Sequence, residues 1–74
     1  MLRQELINQD GRKYTLMEFF KEFTEGLFEI CSIKNGHLIT GTKEQIQAGL
    51  RSHLFGSCVQ YIEVDEYGTT VYLR

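Results

Sequence analysis

Two cysteines and two histidines are the side chains of this 74-residue chain best suited to chemistry: Cys31, His37, His53 and Cys58. Thiolate and imidazole are the preferred ligands of zinc, and the spacings, Cys-x5-His in the first half and His-x4-Cys in the second, are roughly symmetric. Structural zinc sites, however, bring their ligands in pairs about two to five residues apart on a knuckle. A cysteine nucleophile beside a histidine would need an exposed thiolate at an electropositive position or a helix start, and Cys31 and Cys58 each fall near the start of a strand that follows a helix. Buried structural thiols and a surface histidine beside a turn are the plainer reading, so neither a metal nor a catalytic residue is assigned.

The remaining polar groups add no catalytic set. The carboxylate pairs Glu18 and Glu22, and Glu22 and Glu25, lie on a helix surface with Lys21 nearby, and Asp65-Glu66 sits at a loop tip. No Gly-rich phosphate loop follows a strand, and so short a chain leaves little room for an enclosed pocket. An enzyme, a cofactor and a small-molecule substrate are therefore not expected.

The elements that must position these residues are marked by local signals. Thr15-Leu16-Met17-Glu18 and Thr42-Lys43-Glu44-Gln45 each offer a threonine cap and a carboxylate or amide three residues on that can reach back to it. After the first, Leu16, Phe19, Phe20, Phe23 and Leu27 recur at helical spacing, which predicts a helix from about Leu16 to Glu25 with Gly26 as a left-handed stop. After the second, Ile46, Leu50, His53 and Leu54 form a stripe ending at Gly56. Gly49 inside that helix costs on the order of 1 kcal/mol against alanine, and close approach by another backbone would explain it.

Hairpins fill the spaces between. Asn35-Gly36 separates Leu27–Ile33 from His37–Thr40, a strong signal for a two-residue turn. Asp65-Glu66-Tyr67-Gly68 separates Cys58–Val64 from Thr69–Leu73 as a longer loop, with Gly68 in the left-handed position. Gln9-Asp10-Gly11, between Glu5–Asn8 and Arg12–Tyr14, suits a third hairpin with short arms. Thr15, Phe19, Phe23, Leu27, Phe28 and Cys31 also align without gaps on Thr42, Ile46, Leu50, Leu54, Phe55 and Cys58. A duplication and the chance likeness of two helix-to-strand units account for this equally well. The expected fold is one α+β domain over residues 1–74. It is a two-layer sandwich, ββαββαββ or αββαββ, in which an antiparallel sheet of four to six strands carries two helices on one face.

A two-residue turn at Asn35-Gly36 sets Lys34 opposite His37 and Ile33 opposite Leu38. Cys31, Ile33, Leu38 and Thr40 then face the helices, while Phe28, Ile30, Ser32, His37 and Ile39 face away. In the last hairpin, Cys58, Ile62, Val64, Val71 and Leu73 read as core, and Val59, Tyr61, Glu63, Thr70 and Tyr72 point outward. Tyr61 and Tyr72 are then a cross-strand aromatic pair. The outer face would expose Ile30, His37, Ile39, Val59, Tyr61 and Tyr72 together, and such a patch marks a partner-binding site, with the ordinary alternative that the tyrosines only shield the sheet.

Composition bounds the partners. Hydrophobic residues make up 42% and charged residues 24%, a globular balance, and five phenylalanines supply large units of buried area to a chain that hides only about 60% of its unfolded surface. Net charge is −2 and no basic run exceeds Arg12-Lys13, which argues against affinity driven by phosphate neutralisation, while the acidity is too mild for a DNA mimic. No apolar run approaches the roughly 20 residues of a membrane span, and the first residues do not suit a signal peptide, so a cytoplasmic location with reduced thiols is expected. These readings converge on a small intracellular protein-binding module that uses its sheet face or an unpaired sheet edge. It would act as an inhibitor, an antitoxin-like regulator or an accessory subunit, or associate with itself as a homodimer. The alternative is single-stranded nucleic acid stacked on Tyr61 and Tyr72, with Lys34, His37 and Arg74 nearby.

Overall fold

The computed structural model describes residues 2–74, so of the expected domain Met1 lies outside the described residues. The elements run β1 (Leu2–Gln4), α1 (Leu16–Glu22), β2 (Phe28–Ser32), β3 (Gly36–Gly41), α2 (Lys43–Gly49), a 3-10 turn (Ser52–Gly56), β4 (Val59–Asp65) and β5 (Gly68–Leu73). The five strands form one sheet in the order β1-β4-β5-β2-β3. Three neighbouring pairs are antiparallel, but β2 and β5 run parallel, so the sheet is mixed rather than antiparallel throughout. A parallel pair needs a long crossover, and here the chain leaves β2, passes through β3, α2 and β4, and returns as β5.

Both helices begin where their capping boxes place them. The Thr15 hydroxyl accepts the Glu18 amide at 3.1 Å while the Glu18 carboxylate accepts the Thr15 amide at 2.9 Å. Thr42 and Gln45 repeat the exchange at 3.3 and 2.9 Å. The ends differ from the periodicity. α1 stops at Glu22, because Phe23 leaves in an extended conformation and folds its ring onto Phe19, with centroids 4.6 Å apart. The second helix breaks at Gly49, and His53 and Leu54 belong to the separate 3-10 turn. Gly49 is close-packed, although against a side chain rather than a backbone: a Cβ there would come within 2.9 Å of Ile39 Cδ1.

At the N-terminal end, the expected hairpin reduces to a turn with one bridge, Ile7 to Lys13, closed by the Asn8 side chain, which accepts the amides of Asp10 and Arg12. The strand that joins the sheet lies further upstream, as β1 against β4. Element order is thus βαββαββ. The two segments that align in sequence match as capped helices and then diverge, for Phe28–Cys31 is strand while Phe55–Cys58 is the end of the 3-10 turn and the chain beyond it.

One core joins the layers. Leu16, Phe19 and Phe20 of α1 and Ile46 of α2 are buried with Phe28, Ile30, Val59, Ile62, Val71 and Leu73. Phe19, Phe20 and Phe28 meet edge to face, with ring centroids 5.2 to 5.6 Å apart.

This core corrects the expected face assignment. Ile30 and Val59, expected on the outer face, are fully buried, as is Phe28, while Val64 and Ile33 are exposed. In β4 the cause is a bulge, whereas β2 as a whole takes the opposite phase, set by its parallel pairing with β5, which puts Ile30 beside Val71. Register slips between Val59 and Tyr61, so Gln60 has no partner and Val59 turns to the same side as Ile62. The carbonyl of Gln60 instead accepts Lys13 Nζ at 2.7 Å. In the other hairpin, Ser32 pairs with Gly36 and Cys31 with His37 before the register slips to Ile30 and Ile39, leaving Leu38 extra. The loop is therefore Ile33-Lys34-Asn35 with Gly36 at φ +83°, not a two-residue turn. Ser32 Oγ holds it by accepting the amides of Lys34 and Asn35. The last hairpin is tighter than expected: Asp65 pairs with Gly68 and its carboxylate accepts the amides of Tyr67 and Gly68.

Candidate functional site

Two surfaces emerge from this register. The first is the sheet face turned away from the core. Arg3 of β1, Tyr61 and Glu63 of β4, Thr70 and Tyr72 of β5, Glu29 and Cys31 of β2, and His37 and Thr40 of β3 share it by pairing. Tyr61 and Tyr72 stand opposite each other as the sequence predicts, stacked at 4.6 Å with their planes 30° apart. The Arg3 guanidinium lies 4.1 Å from the Tyr61 ring centre, so Tyr61 is held between a cation on one strand and an aromatic ring on the other.

The groups of this face largely satisfy one another. The Tyr72 hydroxyl donates to Glu63 at 2.8 Å. That bond, with burial and the neighbouring carboxylate, pushes the phenol from its ordinary 10 up to about 12. Cys31 donates to Glu29 at 3.6 Å, and burial together with that carboxylate pushes the thiol up to about 11. Such a thiol is a poor nucleophile near neutrality. His37 meets the Thr40 hydroxyl at 2.8 Å.

The expectation that Cys31 turns to the helices and His37 away from them is corrected here, since the two are direct cross-strand partners on one face. His53 is exposed in the 3-10 turn and Cys58 is half-buried beside its bridge partner Thr15. Among the described residues, no three His, Cys, Asp or Glu side chains are placed to hold a metal ion together.

Of the six residues expected to bind a partner, Tyr61, Tyr72 and His37 lie on the face away from the core. Ile30 and Val59 lie in the core, and Ile39 packs against it from β3. The face is consequently more polar than the sequence implies. Its apolar content is two tyrosines framed by Arg3, Glu63, Thr70 and Glu29.

The second surface is a sheet edge, which the sequence offers as a docking surface without assigning it to a strand. β3 is one end of the sheet, a six-residue strand, GHLITG, with no Lys, Arg, Asp, Glu or Pro. The bulge turns the consecutive residues Leu38 and Ile39 to the same side, which strict alternation forbids. There they form, with Leu50, Leu54, Arg51 and His53 after α2, an open groove of about 420 Å³. The sequence signal available for it was the absence of charge along β3 beside an Asn-Gly turn.

Fold and site together define the class no further than a compact α+β domain with a five-stranded mixed sheet and two helices. No family model matches the chain, and neither a curated protein nor a solved structure matches it. No helix among the described residues is long and apolar enough to cross a membrane.

Proposed function

We propose that this chain is a protein-binding module that docks a partner along the β3 edge of its sheet and has no catalytic chemistry of its own. The observation that carries this reading is the character of β3. A terminal strand presents a row of unpaired backbone groups, and natural sheets guard such rows with Lys, Pro, charge, bulges or a cover. Of these guards β3 has the bulge at Leu38 alone, it carries no charged residue, and a groove of mixed apolar and polar lining runs beside it. The two-layer arrangement, both helices over one sheet face, is supported by the single core that they share, and it puts the groove on the helix side of the edge. An inhibitor, an antitoxin-like regulator or an accessory subunit of an intracellular assembly would act by occupying a surface in this way, and a homodimer would use the same edge.

The sheet face is the weaker docking surface, because Ile30 and Val59 do not contribute to it. The same face underlies the second reading, single-stranded nucleic acid stacked on Tyr61 and Tyr72. Arg3 already lies over Tyr61, Tyr72 is taken up by Tyr61 and Glu63, and Glu29 and Glu63 set negative charge where phosphates would pass, all of which favours the edge.

The test is capture from native cell extract by the tagged chain, with mass spectrometry, together with sedimentation velocity. Thr40→Lys sets a guarding lysine at an exposed position of β3, on the side of the tyrosines, and is expected to abolish capture or self-association with the far-ultraviolet dichroism retained, whereas Tyr61→Ala with Tyr72→Ala, away from the edge, is expected to leave both intact. Capture that survives Thr40→Lys but is lost in Tyr61→Ala with Tyr72→Ala would move the site to the sheet face and end the edge reading.

A further inference from the structure

The groove beside β3 differs in charge from the chain that carries it. The protein has net charge −2, yet the only charged group on the groove wall is a cation, Arg51, with His53 close by and no carboxylate. Among the described residues the ion pair that forms is Lys13 with Glu5, remote from this site, so the Arg51 guanidinium keeps its donors free. The apolar wall is Leu38, Ile39, Leu50 and Leu54, with the first two held by the bulge and the third placed where α2 ends.

Resting on the reading of β3 as the docking edge, we infer that the occupant is an acidic, extended segment of a partner protein. One apolar side chain packs against Leu50 and Leu54 while a neighbouring carboxylate pairs with Arg51. Arginine suits this task because its planar fork can meet both oxygens of a carboxylate. A second copy of the chain fits less well: a two-fold pairing of β3 strands applies the same surface to itself and brings two Arg51-bearing grooves toward one another with no carboxylate of either wall between them.

The probes are two fluorescein-labelled decapeptides, one alternating leucine with glutamate and the other leucine with lysine, titrated into the 15N-labelled chain by anisotropy and amide shift mapping. The glutamate peptide is expected to move the amides of residues 38–41 and 50–54, and Arg51→Glu, an exposed substitution checked by dichroism, to weaken it by about fivefold or more. Equal binding of the lysine peptide, or no effect of Arg51→Glu, would overturn the acidic occupant while leaving the edge reading intact. If instead those amides shift on dilution of the protein alone and neither peptide binds at millimolar concentration, the occupant is a second copy and the inference is wrong. Silence of the groove in every arm, with partner capture unaffected by Thr40→Lys, would remove both the inference and the reading beneath it.

Discussion

Cys31 and His37 face one another across β2 and β3, on the side of the sheet that also carries Tyr72. A thiol and an imidazole in register invite a catalytic or metal reading, but the thiol is tied to Glu29 and the imidazole to Thr40. Cys31 is only 8% exposed, and its protonated form is favoured to about pH 11. Disulfide-exchange labelling at pH 8 should therefore show two unequal thiols, a faster one at half-buried Cys58 and a slow one at Cys31. Cys58→Ser should abolish the fast phase; a fast phase surviving that change would contradict the burial of Cys31.

Tyr72 supplies a pH prediction. Its phenol is raised in the folded protein, so the neutral form is the one the fold favours, chiefly through the bond to Glu63. The stabilisation is complete below the ordinary value of 10 and is lost as pH climbs through about 12. Ultraviolet titration of the wild type minus Tyr72→Phe should show a midpoint near the upper value, and Glu63→Gln should bring it down. A difference midpoint near 10 would mean that the bond does not persist in solution.

Phe19 is the centre of the aromatic cluster, touching Phe20, Phe23 and Phe28 from a site with no exposure. Phe19→Ala should cost about 3–5 kcal/mol in denaturant unfolding, enough to threaten so small a domain. Phe19→Leu serves as the folded comparison and should lose clearly less. A loss below about 1 kcal/mol for the alanine variant would show that the cluster collapses to fill the cavity.

The caps test the helices separately from the core. Thr15→Ala removes the acceptor for the Glu18 amide, and Thr42→Ala the acceptor for Gln45. Each should cost about 1 kcal/mol, seen as a lower urea midpoint with the slope unchanged. The two losses should add, since the caps share no partner; marked non-additivity would indicate that the two caps are coupled through the folded structure.

Gly68 joins the β4-β5 turn to the parallel strand pair. Its φ is +152°, and a Cβ there would collide with the Leu27 carbonyl oxygen, which accepts the Thr69 amide. Gly68→Ala should therefore destabilise by more than about 1 kcal/mol, while Gly56→Ala, where a Cβ meets open space, should be close to neutral. Equal tolerance at both positions would argue against the parallel contact of β2 with β5.

Much of this architecture was legible in the residues. The starts of both helices were, because a capping box is complete within four consecutive residues, and so were the β2-β3 and β4-β5 hairpins, whose turns carry Gly36 and Asp65 with Gly68. The facing of Tyr61 and Tyr72 followed from the second of these turns. Strand β1 was not legible: Leu2-Arg3-Gln4 is too short to show a period and becomes a strand only because β4 offers an edge. The split of the second helix was hidden as well, since Gly49 ends it where Ile39 from β3 packs against the glycine.

The candidate site divides along the same line. The amino-acid sequence by itself determined the helix caps, the turn residues, the apolar content and the uncharged run of β3, because each is a matter of neighbouring residues and their local hydrogen bonds. Tertiary structure alone decided which face of each strand is core. Alternation has two phases, and the bulges at Gln60 and Leu38 change phase within a hairpin without leaving a mark in composition. That choice buried Ile30 and Val59, left Tyr61 and Tyr72 among polar neighbours, and turned Leu38 and Ile39 together into the groove beside Arg51.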